Sequence, residues 1–171
     1  MSVESEFLKY SADKLAQSCA RIETCLDKLK PEQIWSRHAD NENAVGNLAL
    51  HLTGNLRQWI VSGIGGEPFA RDRDQEFAAR GGAGPAGLKQ HLRSAVDAAA
   101  ALIRSLPHSR LTERVTIQSY DVTVLEAIYH VVEHFSGHTG QVIFATKLLT
   151  GEDLGFHAHL SRARAHSEKT P

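Results

Sequence analysis

Leu8, Ala12, Leu15, Cys19, Ile22, Leu26 and Leu29 recur at alternating intervals of four and three residues. That rhythm draws a single apolar seam down one face of an α-helix, and Pro31 stops it. A seam of this length cannot be buried by the helix that carries it. The segment from about residue 4 to 29 therefore demands other helices to pack against.

The chain supplies three more. Val45, Leu48, Leu52, Leu56 and Trp59 share one face of a predicted helix over about 44–62, which the Gly63–Gly66 stretch and Pro68 close. Pro85 suits the first turn of a third helix, running from about 86 to 106, where Pro107 ends it, and its Ala98–Ala101 run favours close packing. Thr123 and Glu126 make a T-x-x-E capping box for a fourth over about 123–150, whose stripe is Leu125, Ile128, Val132, Phe135, Val142 and Leu149, with Gly151 as its C-terminal cap. Between the second and third helices, residues 65–86 hold seven glycines or prolines among charged residues and read as a long mobile crossover, of a length that marks either function or poor order. Residues 111–120 alternate around Val115 and Ile117, which suggests a short extended piece. The expectation is an all-α fold, a four-helix bundle filling residues 1–156, with a frayed tail over 157–171.

Charge narrows the partners. A formal net charge of −1, with no lysine or arginine cluster, lacks the electrostatic footprint that a phosphate backbone requires, so no nucleic acid is expected. The acidic start, Met1-Ser2-Val3-Glu4-Ser5-Glu6, is not laid out as a signal peptide, and no apolar run spans a bilayer, so no membrane is expected and the predicted address is cytoplasmic. Cys19 and Cys25 lie on different faces of one helix, too far apart to bridge, which fits free thiols in a reducing compartment.

Histidine is the unusual residue, ten in all, with His130, His134, His138, His157 and His159 gathered in the C-terminal quarter. Imidazoles four apart on a helix project from one face and can share a metal ion. At about 100° per residue, His138 falls at the margin of the apolar stripe, His134 about 40° further out and His130 about 80° further out. The inward pair is thus His134 with His138. In the first half, His51 lies within a helix, at the edge of the Leu48–Leu52 face and one turn before Asn55. Three histidines from two helices would leave at least one coordination position open, as catalytic sites do. Spacing alone leaves these residues open to a second reading, hydrogen-bonded histidines at a core boundary, and the chain has no H-E-x-x-H motif.

The segment Val131-Val132-Glu133-His134-Phe135-Ser136-Gly137-His138-Thr139-Gly140-Gln141-Val142, followed by Leu148-Leu149-Thr150-Gly151, resembles the last bundle helix of the DinB/YfiT-like superfamily of metalloenzymes. The family's H-x-x-x-H-x-x-Q pattern falls here on His134, His138 and Gln141, and Asn47-Leu48-Ala49-Leu50-His51-Leu52 is similar to its second-helix ligand segment. The resemblance implies a four-helix bundle, a divalent metal ion (zinc, nickel or iron) on His51, His134 and His138, and frequently a homodimer. It also implies a small-molecule substrate and, in some members, an S-transferase or isomerase reaction using a low-molecular-weight thiol. A metal-dependent hydrolase and a non-catalytic metal-binding protein are the alternatives. No catalytic residue is singled out. Gln141 is expected to support a ligand from behind. His157 and His159 are expected on a solvated tail, Trp35 and Trp59 as core or interface anchors, Cys19 as an inert buried thiol, and the glycine-rich crossover, without G-x-x-x-x-G-K-[ST], has no phosphate-cradling signal.

Overall fold

The computed structural model describes residues 2–158. Four long helices form the body: α1 (Val3–Lys28), α3 (Val45–Leu56, continued through a wide π-type turn, Arg57–Ser62), α5 (Pro85–Ser105) and α6 (Val124–Thr150). The short α2 (Pro31–Ile34) and α4 (Arg73–Ala78) fill the connections, and β1 (Arg114–Ile117) and β2 (Tyr120–Thr123) pair antiparallel in the register Arg114↔Thr123 to Ile117↔Tyr120. The bundle and its long helices match the reading of the sequence. His159 lies outside the described residues.

The helices close a ring in which α1 and α3 each pack against both α5 and α6. The first two long helices therefore face each other diagonally, and the two flanking the crossover are neighbours. All seven residues of the first seam are buried, with Phe135, Leu52, Leu92 and Ile128 among the largest side chains fully enclosed. Burying each such side chain contributes about 1.5–3 kcal/mol, the main force holding the ring. Thr123 Oγ1 accepts from the Glu126 amide at 3.1 Å, Glu126 Oε2 accepts from the Thr123 amide at 2.7 Å, and Gly151 takes the left-handed φ of 70° that ends α6.

The crossover departs from expectation. Instead of a mobile loop, its middle folds into α4, started by Asp72, whose carboxylate accepts from the Gln75 amide at 3.0 Å. Its end is held by Asn47, buried at the start of α3, whose Nδ2 donates to the carbonyls of Glu76 (2.8 Å) and Ala79 (2.9 Å). Arg37 adds Nη2 donors to Asn47 Oδ1 (2.7 Å) and the Phe77 carbonyl (2.8 Å). Carbonyls left open at the end of a short helix are thus answered by side chains from elsewhere in the chain.

Gly54 lets this docking happen. A Cβ at that position would collide with the Glu76 carboxylate and lie 2.8 Å from Arg71 Nε. Gly54→Ala should push α4 outward and destabilise the fold by about 1–3 kcal/mol, the range for overpacking, although alanine is the better helix former. A urea midpoint at or above that of the original protein would contradict the close approach.

Candidate metal centre

His51 on α3 and His134 and His138 on α6 meet where these two helices face each other. One nitrogen from each can be chosen so that all three lie within 4.8 Å of one another, and His51 Nε2 and His134 Nε2 are 2.9 Å apart. His51 is buried and the other two are half-buried. Two imidazoles at that separation with no ion between them can share only one proton. A cation held by both nitrogens at about 2.0–2.1 Å needs little adjustment from this spacing.

The outer nitrogens decide which lone pairs face inward. His138 Nδ1 lies 2.8 Å from Gln141 Oε1, so Nδ1 carries the proton and Nε2 is free to ligate, with Gln141 in the supporting place expected for it. His51 Nδ1 lies 3.1 Å from Glu76 Oε2. Arg71 Nη2 is 3.0 Å from the same nitrogen, but it donates to Glu76 Oε2 at 2.6 Å and to the His51 carbonyl at 3.2 Å. The Nδ1 proton of His51 therefore goes to the carboxylate, and its Nε2 also points inward. Arg71 Nε bonds the second oxygen of Glu76 at 2.7 Å, and Nη1 reaches Gln58 at 2.9 Å. Burial works against the Glu76 charge, yet the Arg71 and His51 hydrogen bonds outweigh it and hold the carboxyl below its ordinary range. Phe77 packs on the His51 ring, centroids 4.7 Å apart.

Glu76 and Arg71 were missed in the sequence. Both sit in the crossover, and no spacing connects them to His51.

Electrostatics favour neutral ligands. Burial, followed by the neighbouring imidazoles, lowers the His134 pKa from 6.5 to about 4. Burial lowers His138 as well, against the opposing pull of its bond to Gln141. Both rings keep a lone pair available at neutral pH, as ligation requires. The same shift makes the metal-free fold sensitive to pH. Between 6.5 and about 4 the unfolded His134 binds a proton that the folded one refuses, so stability is full above the unfolded value and falls as pH drops through this window. The urea midpoint of metal-free protein should decline from pH 7 to pH 5, and His134→Ala should flatten that slope. Parallel slopes would rule His134 out as its source.

His130 stays outside the group. Its ring stacks at 5.6 Å on His134 and packs at 4.4 Å on Trp59. His157 lines a separate depression with Arg21, Ile143 and Lys147. Trp35 is half-buried against the core, while Trp59 is both buried and part of the wall of a cavity of about 530 Å³ that adjoins His51 and His134. Cys19 and Cys25 are free and buried, and burial pushes the Cys19 thiol up to about 12, so the reading of Cys19 as inert fits its surroundings. No helix among the described residues is long and apolar enough to cross a membrane.

Comparison with known proteins agrees with this architecture. A crystal structure of a conserved protein from Enterococcus faecalis superimposes with a TM-score of 0.73 at 16% identity, over 89% of this chain and 99% of that one. A DinB-like protein from Bacillus cereus superimposes with a TM-score of 0.63, also at 16% identity, over 80% of this chain and 88% of that one. No curated protein matches. Residues 2–164 match the family described as "Protein of unknown function (DUF1572)", a DinB/YfiT-like family, and the chain belongs to it.

Proposed function

We propose that the protein is a metal-dependent enzyme acting on a small molecule, with one divalent ion held by the Nε2 atoms of His51, His134 and His138. The observation that carries this reading is the convergence of three histidines from two helices, two of them oriented from behind by Glu76 and Gln141, beside an accessible cavity. Three protein ligands with an open side form the pattern of a catalytic rather than a structural site. Zinc, nickel and iron all suit imidazole donors. A divalent ion there would lower the pKa of a bound thiol or water and hold it beside an electrophile. The thiol case is the leading reading, a transferase using a low-molecular-weight thiol, and water activation for hydrolysis is the alternative. The cavity speaks against a site that merely ties α3 to α6.

The chain's own residues would orient and tune. Glu76 and Gln141 fix the tautomers of His51 and His138, and the low proton affinity of His134 keeps its lone pair available. Elemental analysis of protein purified without a histidine tag should find one metal per chain. Turnover with thiol plus electrophile, absent with ester or amide alone, supports the transferase; the reverse pattern supports the hydrolase. Metal-free protein that binds no zinc, nickel or iron on reconstitution would reject the site.

The assembly we propose is a homodimer through α6, in a reducing cytoplasm that suits the two free cysteines. Leu125, Tyr129, Phe144 and Leu148 are all exposed on this helix, with Ser136, Gly137 and Gly140 between the two pairs. A stripe that is apolar at both ends and small at its centre is complementary to itself about a two-fold axis, as an isologous contact requires. Sedimentation at micromolar concentration should give twice the chain mass, and Phe144→Glu should give the monomer. A monomeric original protein would overturn the dimer.

A further inference from the structure

The cavity beside the triad holds two groups that the metal site does not use. Asn55 sits one helical turn beyond His51 and is only 4% exposed, yet it makes no side-chain hydrogen bond with any described residue, and its buried Oδ1 has no partner. Leaving such an oxygen unanswered costs about 1–3 kcal/mol; the side chain lines the cavity wall, and turning its carboxamide would bring the oxygen to face a ligand there. Arg73 lines the same cavity. Unlike Arg71, whose donors are committed to Glu76, Gln58 and the His51 carbonyl, Arg73 forms no ion pair among the described residues, and its guanidinium lies 4.8 Å over the Phe77 ring.

The wall between them is aromatic and held in place. Trp59 packs on His130 at 4.4 Å and faces Tyr120 at 6.2 Å. The hairpin turn that carries Tyr120 over the cavity places Gln118 and Ser119 at φ of 51° and 69°, a conformation that disfavours side chains. Gln118 Oε1 accepts from Trp59 Nε1 at 3.2 Å and ties that turn to the wall. Glu126, the acid on the wall, is already engaged as the cap partner of Thr123.

Building on the metal-site reading above, we propose that Asn55 and Arg73 anchor the substrate, and that its class is a small organic acid carrying an amide, of the N-acylated amino acid kind. A carboxamide offers one donor and one acceptor side by side and meets the N–H and C=O of another amide. The free guanidinium takes the carboxylate. The rest of the molecule lies along Trp59, and its reacting end faces the three histidines.

Cobalt-loaded protein provides the test, through the sulfur charge-transfer absorption that appears when a thiol probe reaches the ion. Four probes separate the contributions: N-acetyl-L-cysteine with amide and carboxylate, N-acetylcysteamine with amide alone, 3-mercaptopropionate with carboxylate alone, and 2-mercaptoethanol with neither. N-acetyl-L-cysteine should bind tightest. Asn55→Leu should weaken both amide-bearing probes about tenfold, the upper range for one hydrogen bond, and leave 3-mercaptopropionate unchanged. Asn55→Asp, which keeps an acceptor and loses the N–H donor, should also discriminate against the amides. Arg73→Ala should weaken only the two carboxylates, by several-fold. Equal affinities for all four probes, or equal weakening of all four by Asn55→Leu, would overturn the proposal. Absence of the absorption with every thiol would reject the thiol reading of the metal site instead. The anchor then stands or falls on N-acetylglycine, which has no sulfur. Quenching of Trp59 emission in a Trp35→Phe background, lost in Asn55→Leu, sustains it, and no quenching refutes it.

Discussion

Glu76→Ala is expected to lower the stability of the fold by about 3–5 kcal/mol and the metal affinity by about 10–100-fold. Both effects come from one carboxylate. The Glu76 side chain is 11% exposed and that of Arg71 only 3%, so removing the acid leaves a buried guanidinium with no other ion pair among the described residues. His51 Nδ1 loses its acceptor at the same time, and the cation 3.0 Å away would then repel any positive charge on the ring or on an ion bound to it. Glu76→Gln keeps an acceptor but not the charge, and it should fall between alanine and the original protein. The double replacement of Arg71 and Glu76 by methionine separates the two consequences. Without an orphaned charge it should recover much of the lost stability, as hydrophobic substitutes for buried ion pairs often do, while metal affinity stays low. Urea denaturation and competition with a chromophoric chelator give the two numbers. If Glu76→Ala left both unchanged, the docked crossover would have no part in the site.

Replacing His134 or His138 by alanine is expected to abolish stoichiometric metal, and His51→Ala to weaken it severely. Apparent binding energies of about 10–16 kcal/mol for four-ligand zinc sites assign about 2.5–4 kcal/mol to each ligand, on the order of a hundredfold in affinity. His130→Ala should leave the metal content unchanged, because its ring rests on Trp59 at 4.4 Å and lies outside the group. Gln141→Ala should cost about 10–100-fold without emptying the site, since only the orientation and basicity of His138 depend on it. Metal content by elemental analysis decides the set. Loss of metal in His130→Ala with retention in His138→Ala would mean that α6 turns the wrong face toward α3.

The parts of this protein that depend on local repetition were legible in the sequence. The seam from Leu8 to Leu29, the Thr123–Glu126 box and the Gly151 cap each lie within one stretch of chain, where 3.6 residues per turn convert spacing directly into a helix face. The pair His134 and His138 was legible for the same reason, and so was Gln141 one turn further. Which helix would supply the third histidine was not a matter of periodicity; His51 came from its place at the edge of an apolar face and from resemblance. Tertiary structure alone brought Glu76 and Arg71 to His51, across 25 and 20 residues of chain. Glycines and prolines made the crossover look mobile because turn residues report the lack of regular structure locally and carry nothing about what side chains elsewhere will bind. Asn47 and Arg37, through hydrogen bonds to the end of α4, determine that this segment packs down, and Gly54 determines how closely. Asn55 and Arg73 are likewise ordinary in sequence. One becomes distinctive when the fold buries its amide oxygen with no partner among the described residues, the other when the fold commits its neighbour Arg71 and leaves Arg73 without an ion pair among them, because burial and pairing belong to the assembled bundle and to no segment of it.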